Sequence, residues 1–231
     1  MPTAEAVAAA LAERRSKLQS LAGRASVQRR GAAGRERVVV RMWAQRPRSV
    51  RFEAVGPMNQ TLGVLVAKGK SFGLYIAQEN RYLHGPATAE NLGRLFGLAL
   101  APEQLVEILL GGVPVAGEGR GRVEWDGELG LVHYQPDDAD GLELWLDPGA
   151  LTVNRLVQRD AADRTVHELT ARAFESHDGV PLPRRISFER RSPVEEVVTV
   201  KVRKVRVNVK FEGADPFTYQ PPEGTLREWV N

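Results

Sequence analysis

The sequence predicts a mainly β chain, one long and strongly curved antiparallel sheet with helices laid across its open side. Three observations carry that reading. Apolar residues recur with period two in Val38/Val40/Met42, Val50/Phe52/Ala54, Leu62/Val64/Val66 and Phe72/Leu74/Ile76. Compact turn sequences separate these runs, and short connections join antiparallel neighbours. One stretch alone, Arg81 to Val115, breaks the pattern with helical spacing.

Taken in order, Thr3 to about Leu21 reads as an amphipathic helix. Val7, Leu11, Leu18 and Leu21 fall on one side, and Glu13, Arg14 and Lys17 on the other. Strands are expected at Arg24–Arg30, Arg35–Gln45, Ser49–Val55, Thr61–Ala67 and Ser71–Ala77. Gly31-Ala-Ala-Gly34, Arg46-Pro47, Gly56-Pro57-Met58-Asn59 and Lys68-Gly-Lys70 are the turns between them.

In the helical stretch, Thr88 can cap a short helix carrying Leu92, Leu95 and Phe96, which Gly97 ends. Pro102 suits the first position of a second helix, with Glu103 in its positive first turn. That helix carries Leu105, Val106, Ile108, Leu109 and Leu110 and stops at Gly111-Gly112, with Pro114 beyond. Two helices this apolar must cover something.

Strands then resume at Gly121–Asp126, Leu129–Gln135, Leu142–Leu146, Leu151–Arg159, Arg164–Phe174 and Pro183–Arg190. Glu195 to Phe211 reads as the longest strand, and its parity changes midway. Val198, Val200 and Val202 are even, whereas Val205, Val207, Val209 and Phe211 are odd. An extra residue near Arg203-Lys204, a β-bulge, would produce that change. With no repeat and no composition break, a single domain over 1–231 is the economical reading. It divides into a helix at 1–21, curved sheet at 22–84 and 117–211, a helical insert at 85–114 and a closing segment at 212–231.

Composition narrows the function. No run approaches the roughly 18 apolar residues of a membrane helix, and the chain has no cysteine, so no thiol chemistry. The first residues lack a basic n-region and an apolar core, so they are not a signal peptide. Either the protein is cytoplasmic or an export signal precedes the recorded chain. The net charge is +3, with Arg24, Arg29, Arg30, Arg35, Arg37, Arg41, Arg46, Arg48 and Arg51 in one region against Glu36. No aromatic ladder accompanies these arginines, so nucleic acid is not the expected partner. They read as a solvated or anionic-membrane-facing sheet surface.

No catalytic set emerges, and neither cofactor nor metal is expected. His84, His133, His167 and His177 lack metal-ligand spacing, and Asp137, Asp138 and Asp140 read as a polar turn. Gly117-Glu-Gly-Arg-Gly121 lacks the lysine and helix of a phosphate loop. What remains is an apolar concavity beneath a lid, the anatomy of a hydrophobic-ligand site. The expected lining is drawn from Phe52, Leu62, Val64, Val66, Phe72, Leu74, Ile76, Leu95, Leu105 and Leu109. An ordinary packed core would show the same apolar periodicity.

Several motifs resemble the LolA/LolB-like lipoprotein localisation family. Gly56-Pro-Met-Asn-Gln-Thr61, Leu92–Phe96, Pro102–Leu110 and Gly111–Pro114 are similar to the receptor branch, LolB. Met42-Trp-Ala-Gln-Arg-Pro47 and Phe217-Thr-Tyr-Gln-Pro-Pro-Glu-Gly224 resemble strand-end and closing sequences of the carrier branch, LolA. The resemblance implies an unclosed β-barrel with a helical lid over an apolar cavity that holds lipoprotein acyl chains. It implies that Arg46, matching the carrier's Arg-Pro arginine, helps hold the lid. Its guanidinium is expected to do so by donating to backbone carbonyls of a lid helix or loop. It also implies that Pro57, Met58 and Asn59 form a projecting loop whose Met58 assists membrane insertion.

On this reading the chain is a monomeric receptor on the periplasmic face of the outer membrane. It takes cargo from a periplasmic lipoprotein carrier and inserts it into the inner leaflet. The family's receptor is anchored through a lipidated cysteine that this chain lacks. A soluble periplasmic carrier is therefore the alternative, and an envelope interaction protein with a filled barrel is a third. An enzyme is not expected.

Overall fold

The computed structural model describes residues 1–32, 34–96, 100–113, 119–191 and 195–231, and side chains other than those of 94–96. The expectations placed on Leu95, Phe96, Gly97 and Pro114 therefore lie outside what is described. The protein is mainly β. A helix α1 (Ala4–Lys17) precedes strands β1 (Ser20–Gly31), β2 (Gly34–Gln45), β3 (Ser49–Val55), β4 (Thr61–Lys68), β5 (Ser71–Ile76) and β6 (Arg81–Pro86). Helices α2 (Ala89–Phe96) and α3 (Pro102–Leu109) follow. Then come β7 (Gly121–Asp126), β8 (Leu131–Pro136), β9 (Leu142–Leu146), β10 (Val153–Arg159), β11 (Thr165–His177), β12 (Val180–Arg190), β13 (Glu196–Val207) and β14 (Leu226–Trp229).

The fourteen strands hydrogen-bond in the order β14-β6-β5-β4-β3-β2-β1-β13-β12-β11-β10-β9-β8-β7. That order is linear, so the sheet is unclosed, as the sequence suggests. Every described register is antiparallel except one: β14 pairs parallel to β6, Leu226 opposite Arg81 and Trp229 opposite His84. The sequence reading missed β14 and counted Arg81–Pro86 within the helical interruption. Both are short, and neither shows its alternation until the partner strand is known.

The chain falls into two compact units. The first comprises Met1–Lys17, Arg29–Arg35 and Gly111–Val200, and the second Leu18–Gln28, Glu36–Leu110 and Lys201–Asn231.

In the first unit, α1 packs on β7 and β8 and buries Val7 and Leu11. Arg14, expected on its solvent side, is instead buried. Its guanidinium donates to the carbonyls of Leu151 at 3.0 Å and Ala150 at 2.8 Å. Burial holds its pKa below the usual value. The helix also ends earlier than its apolar spacing suggests. Leu18 and Leu21 are buried, but the chain is a strand from Ser20 onward. Carboxylates set the turns. Asp147 Oδ1 accepts from the amides of Gly149 and Ala150, and Asp126 Oδ1 from those of Glu128 and Leu129. The β11–β12 hairpin extends further than expected and makes β11 the longest strand. Asp178 and Gly179 form its two-residue loop with φ of 50° and 77°, the pattern of a type I′ turn.

In the second unit, β1 begins where Asn208 meets it: the Asn208 amide donates to the Ser20 carbonyl at 2.7 Å, and its side chain accepts from the Gln19 amide. The Arg46 amide closes on the Gln19 carbonyl at 3.0 Å. These long-range bonds draw Leu18–Leu21 away from the helix, against local periodicity. The parity change expected in β13 is present. Val198 is buried and Val202 half-buried, then Arg203 and Lys204 are both exposed, then Val205 and Val207 face inward. At that point a Cβ on Gly23 would lie 2.5 Å from the Lys204 carbonyl, so β1 tolerates only glycine there.

Candidate functional site

The helical insert and β2–β6 of the second unit hold nearly all the residues singled out from sequence. Helix α2 starts as its capping residue requires, with the Asn91 amide donating to Thr88 Oγ1 at 3.1 Å. Asn91 itself is buried and donates from its side chain to the Pro86 carbonyl. Helix α3 begins at Pro102, and Gln104 Oε1 reaches back to the Ala101 amide at 2.9 Å. It packs against β3 with Leu105 and Val106 buried, and Leu110 and Val113 are buried beyond it.

Register decides which strand residues α3 can cover. Residues directly opposite across antiparallel strands share a face. Phe52 is opposite Met42 and Leu65, Leu65 opposite Leu74, and Leu74 opposite Leu83. Ala67 and Phe72 belong to that face, as do Gly63 and Ile76. The other face carries Arg51 opposite Trp43 and Val66, then Val64 opposite Tyr75, and Tyr75 opposite Tyr82.

The expected lining therefore divides. Phe52, Phe72, Leu74 and Ile76 share one face, whereas Val64 and Val66 lie on the opposite one. Leu62, of the same parity as Val64, is 44% exposed. β4 is apolar at 62, 64, 65, 66 and 67, so either parity reads as the inner one, and only pairing resolves it. Leu65 and Leu83, outside the expected set, share the face of Phe52.

The face of Val64 and Val66 is covered by the closing segment. The Tyr219 ring lies 5.8 Å from that of Tyr75 and 6.4 Å from that of Tyr82. Arg51 stands over the Trp43 and Tyr219 rings and donates to the carbonyls of Pro216 and Thr218. Burial raises the pKa of both Tyr82 and Tyr219. Asp215 pairs with Lys68, and that hydrogen bond holds its carboxyl below the ordinary range. Since this segment occupies one side of β3, α3 packs on the other, the side of Phe52. There Met42, Val50, Leu65, Phe72 and Leu83 are buried, while Phe52, Leu74 and Ile76 are half-buried.

Arg46, just past β2, sits beneath α3. Its Nη1 makes an ion pair with Glu107 of that helix, and its Nε donates to the Leu18 carbonyl at 2.7 Å. Both charged side chains are almost wholly buried, at 8% and 7% exposure. Among the described residues Arg46 Nη2 has no hydrogen-bond partner. Sequence reasoning placed Arg46 against lid carbonyls. Its partner on α3 is a carboxylate, signalled only by a glutamate amid the apolar positions of that helix. Arg48 and Glu103 form a second, more exposed pair at 3.0 Å.

Gly56–Gln60 forms the β3–β4 hairpin tip, with the Gly56 amide on the Gln60 carbonyl at 2.9 Å and Asn59 at φ 63°. Arg41 Nη2 holds Asn59 Oδ1 at 2.6 Å, and Gln60 Oε1 accepts from the Met58 amide. Met58 itself is 86% exposed. Among the described residues no cluster of His, Asp or Glu could hold a metal, and no helix is long and apolar enough to cross a membrane.

Solved structures share this unclosed, mainly antiparallel sheet. The chain is similar to a Vibrio parahaemolyticus domain described for outer-membrane lipoprotein sorting, at 14% identity and TM-score 0.60, covering 91% of this chain and 95% of that one. It is similar to a DUF1329 family protein from Desulfovibrio piger, at 12% identity and TM-score 0.64, covering 92% and 96%. A LolA superfamily protein from Nitrosomonas europaea matches at 11% identity and TM-score 0.56, covering 92% and 96%. At such identities the likeness is one of fold. No family model and no curated protein matches the sequence.

Proposed function

We propose that this chain binds the acyl chains of lipoproteins on the α3-covered face of its second unit and delivers them to a membrane. The supporting observation is the pairing of an apolar sheet face with a helix held by the buried Arg46–Glu107 ion pair. The fold it shares with a lipoprotein-sorting domain adds to this. The lining would be Phe52, Leu65, Phe72, Leu74, Ile76 and Leu83 from the sheet, with Leu105 and Leu109 from α3. Small residues Ala54 and Gly63 lie beside Ile76 on that face and leave room for a chain. The physical need is plain. Each methylene is worth about 0.8 kcal/mol, so one exposed acyl chain costs roughly 10 kcal/mol in water.

The receptor form of this reading rests on Met58. An apolar side chain at the tip of a hairpin, 86% exposed, has the placement to enter the acyl boundary of a leaflet. It would contribute about 1.5–3 kcal/mol, enough to orient a protein already held at the membrane. A periplasmic carrier would supply the cargo, and the inner leaflet of the outer membrane would receive it. A carrier function is the second reading, favoured by Arg46 and Glu107. A buried pair that closes the lid suits a protein that must keep its cargo in solution.

The test is displacement of a hydrophobic fluorescent dye by an acylated peptide, followed by transfer of the peptide into liposomes. Displacement with the acylated peptide but not with its unacylated form supports the reading. No dye binding, or displacement indifferent to acylation, overturns it.

A further inference from the structure

Charge divides unequally between the two units. The second contains sixteen of the 32 Lys and Arg residues but ten of the 29 Asp and Glu, a net +6, which leaves −3 for the first. The dense arginine region of the sequence contributes to this excess, but most of its cations in the unit stand beside carboxylates. In this unit Arg41, Arg46, Arg48 and Arg51 are each within reach of a carboxylate, Arg41 and Arg51 sharing Glu53, Arg46 at Glu107 and Arg48 at Glu103.

A row of cations with no acid among them lies on β13. Lys201, Arg203, Lys204 and Arg206 are exposed, and so is Lys210 just beyond the strand, with no acidic residue between Glu196 and Glu212. The parity change at Arg203–Lys204 brings two consecutive cations to the solvent side. Alternation is lost, but the charge row is not interrupted. On neighbouring β1, Arg24 is exposed next to Gly23, whose backbone approaches Lys204. Among the described residues, Arg24, Lys201, Lys204, Arg206 and Lys210 have no carboxylate partner.

We infer that this side of β13 and β1 docks on the surface of an anionic lipid bilayer. Charge complementarity selects an anionic partner. The face from Lys201 to Lys210 carries no aromatic side chain, so it lacks the stacking platform that single-stranded nucleic acid uses. The same unit presents Met58, and Arg41 on β2, the strand next to β1, holds the Met58 hairpin through Asn59. Basic residues for headgroups and an apolar side chain for the acyl boundary are the two components of peripheral membrane binding. Binding needs no cargo, so the inference is independent of the acyl-chain site.

The experiment is flotation of the cargo-free protein with vesicles of phosphatidylcholine alone and of phosphatidylcholine with phosphatidylglycerol. Wild-type protein should float with the anionic vesicles only, and less so as salt shortens the screening length. Each cation near such a surface is worth about fivefold, so Lys201→Gln/Lys204→Gln/Arg206→Gln should weaken binding roughly a hundredfold. Circular dichroism and acyl-peptide displacement should remain at wild-type level in that variant, which separates this surface from the acyl-chain site. Equal binding to neutral vesicles, or undiminished binding by the variant, overturns the inference. So does tighter binding of a DNA oligonucleotide that the variant loses, which would make this a nucleic-acid face.

Discussion

Arg46 and Glu107 meet beneath α3, 61 positions apart in the chain and both nearly excluded from water. A buried ion pair contributes little net stability, because desolvation offsets most of the attraction, but breaking it leaves a charge stranded. Arg46→Leu should therefore destabilise the fold by about 3–5 kcal/mol in urea denaturation, and Glu107→Leu by a similar amount. The double variant should recover most of the loss. If the pair also governs the lid, the double variant should take up and release an acylated peptide faster than wild type. Unchanged uptake and release in a folded double variant would remove the lid role and leave the pair structural.

Met58 has no packing to lose. Met58→Glu should shift stability by less than about 0.5 kcal/mol, as exposed substitutions do. Dye displacement by acylated peptide should also be unchanged. Delivery of the peptide into liposomes should slow, and delivery at the wild-type rate would count against the insertion role.

The two faces of β4 and β5 can be told apart directly, because the chain has no cysteine. Single cysteines at Leu74 and Ile76, labelled with an environment-sensitive dye, should report acylated peptide by a change in emission. A label at Leu62, which shares the parity of Val64, should not respond. A response at all three would restore the lining expected from sequence, and a response at Leu62 alone would refute the register argument.

His167 supplies a pH dependence. Burial, and then the charge of Arg190 directly opposite on β12, depress its pKa. Gln158 is its partner on β10, and its ring lies 5.2 Å from that of Phe188. The folded state therefore binds this proton less readily than the unfolded state, and stability must fall as pH falls. The loss should begin as pH drops through the unfolded value of about 6.5 and continue to the depressed folded value. His167→Gln should flatten the dependence of the unfolding midpoint over that window. An equal slope in the variant would assign the effect elsewhere.

Much of the architecture is local information. Period-two runs, a prolyl helix start and a threonine cap each act over a few residues, so β3, β7, β9 and α3 are legible before any fold is known. The parity change in β13 is legible too, because one strand shows it alone. The missed hairpin extension was available in Asp178-Gly179, a turn signal passed over.

What the sequence by itself determined is the succession of most elements and the apolar character of the sheet. Only tertiary structure decided where α1 gives way to β1, since Leu18–Leu21 satisfy a helical period until Asn208 and Arg46 bind their backbone. Only tertiary structure made Leu226–Trp229 a strand, because a parallel partner 145 positions away supplies its hydrogen bonds. It also turned Leu65, not Val64, toward the face that α3 covers. A strand apolar on both parities carries no preference of its own, and the register that sets Leu65 opposite Phe52 and Leu74 makes the choice.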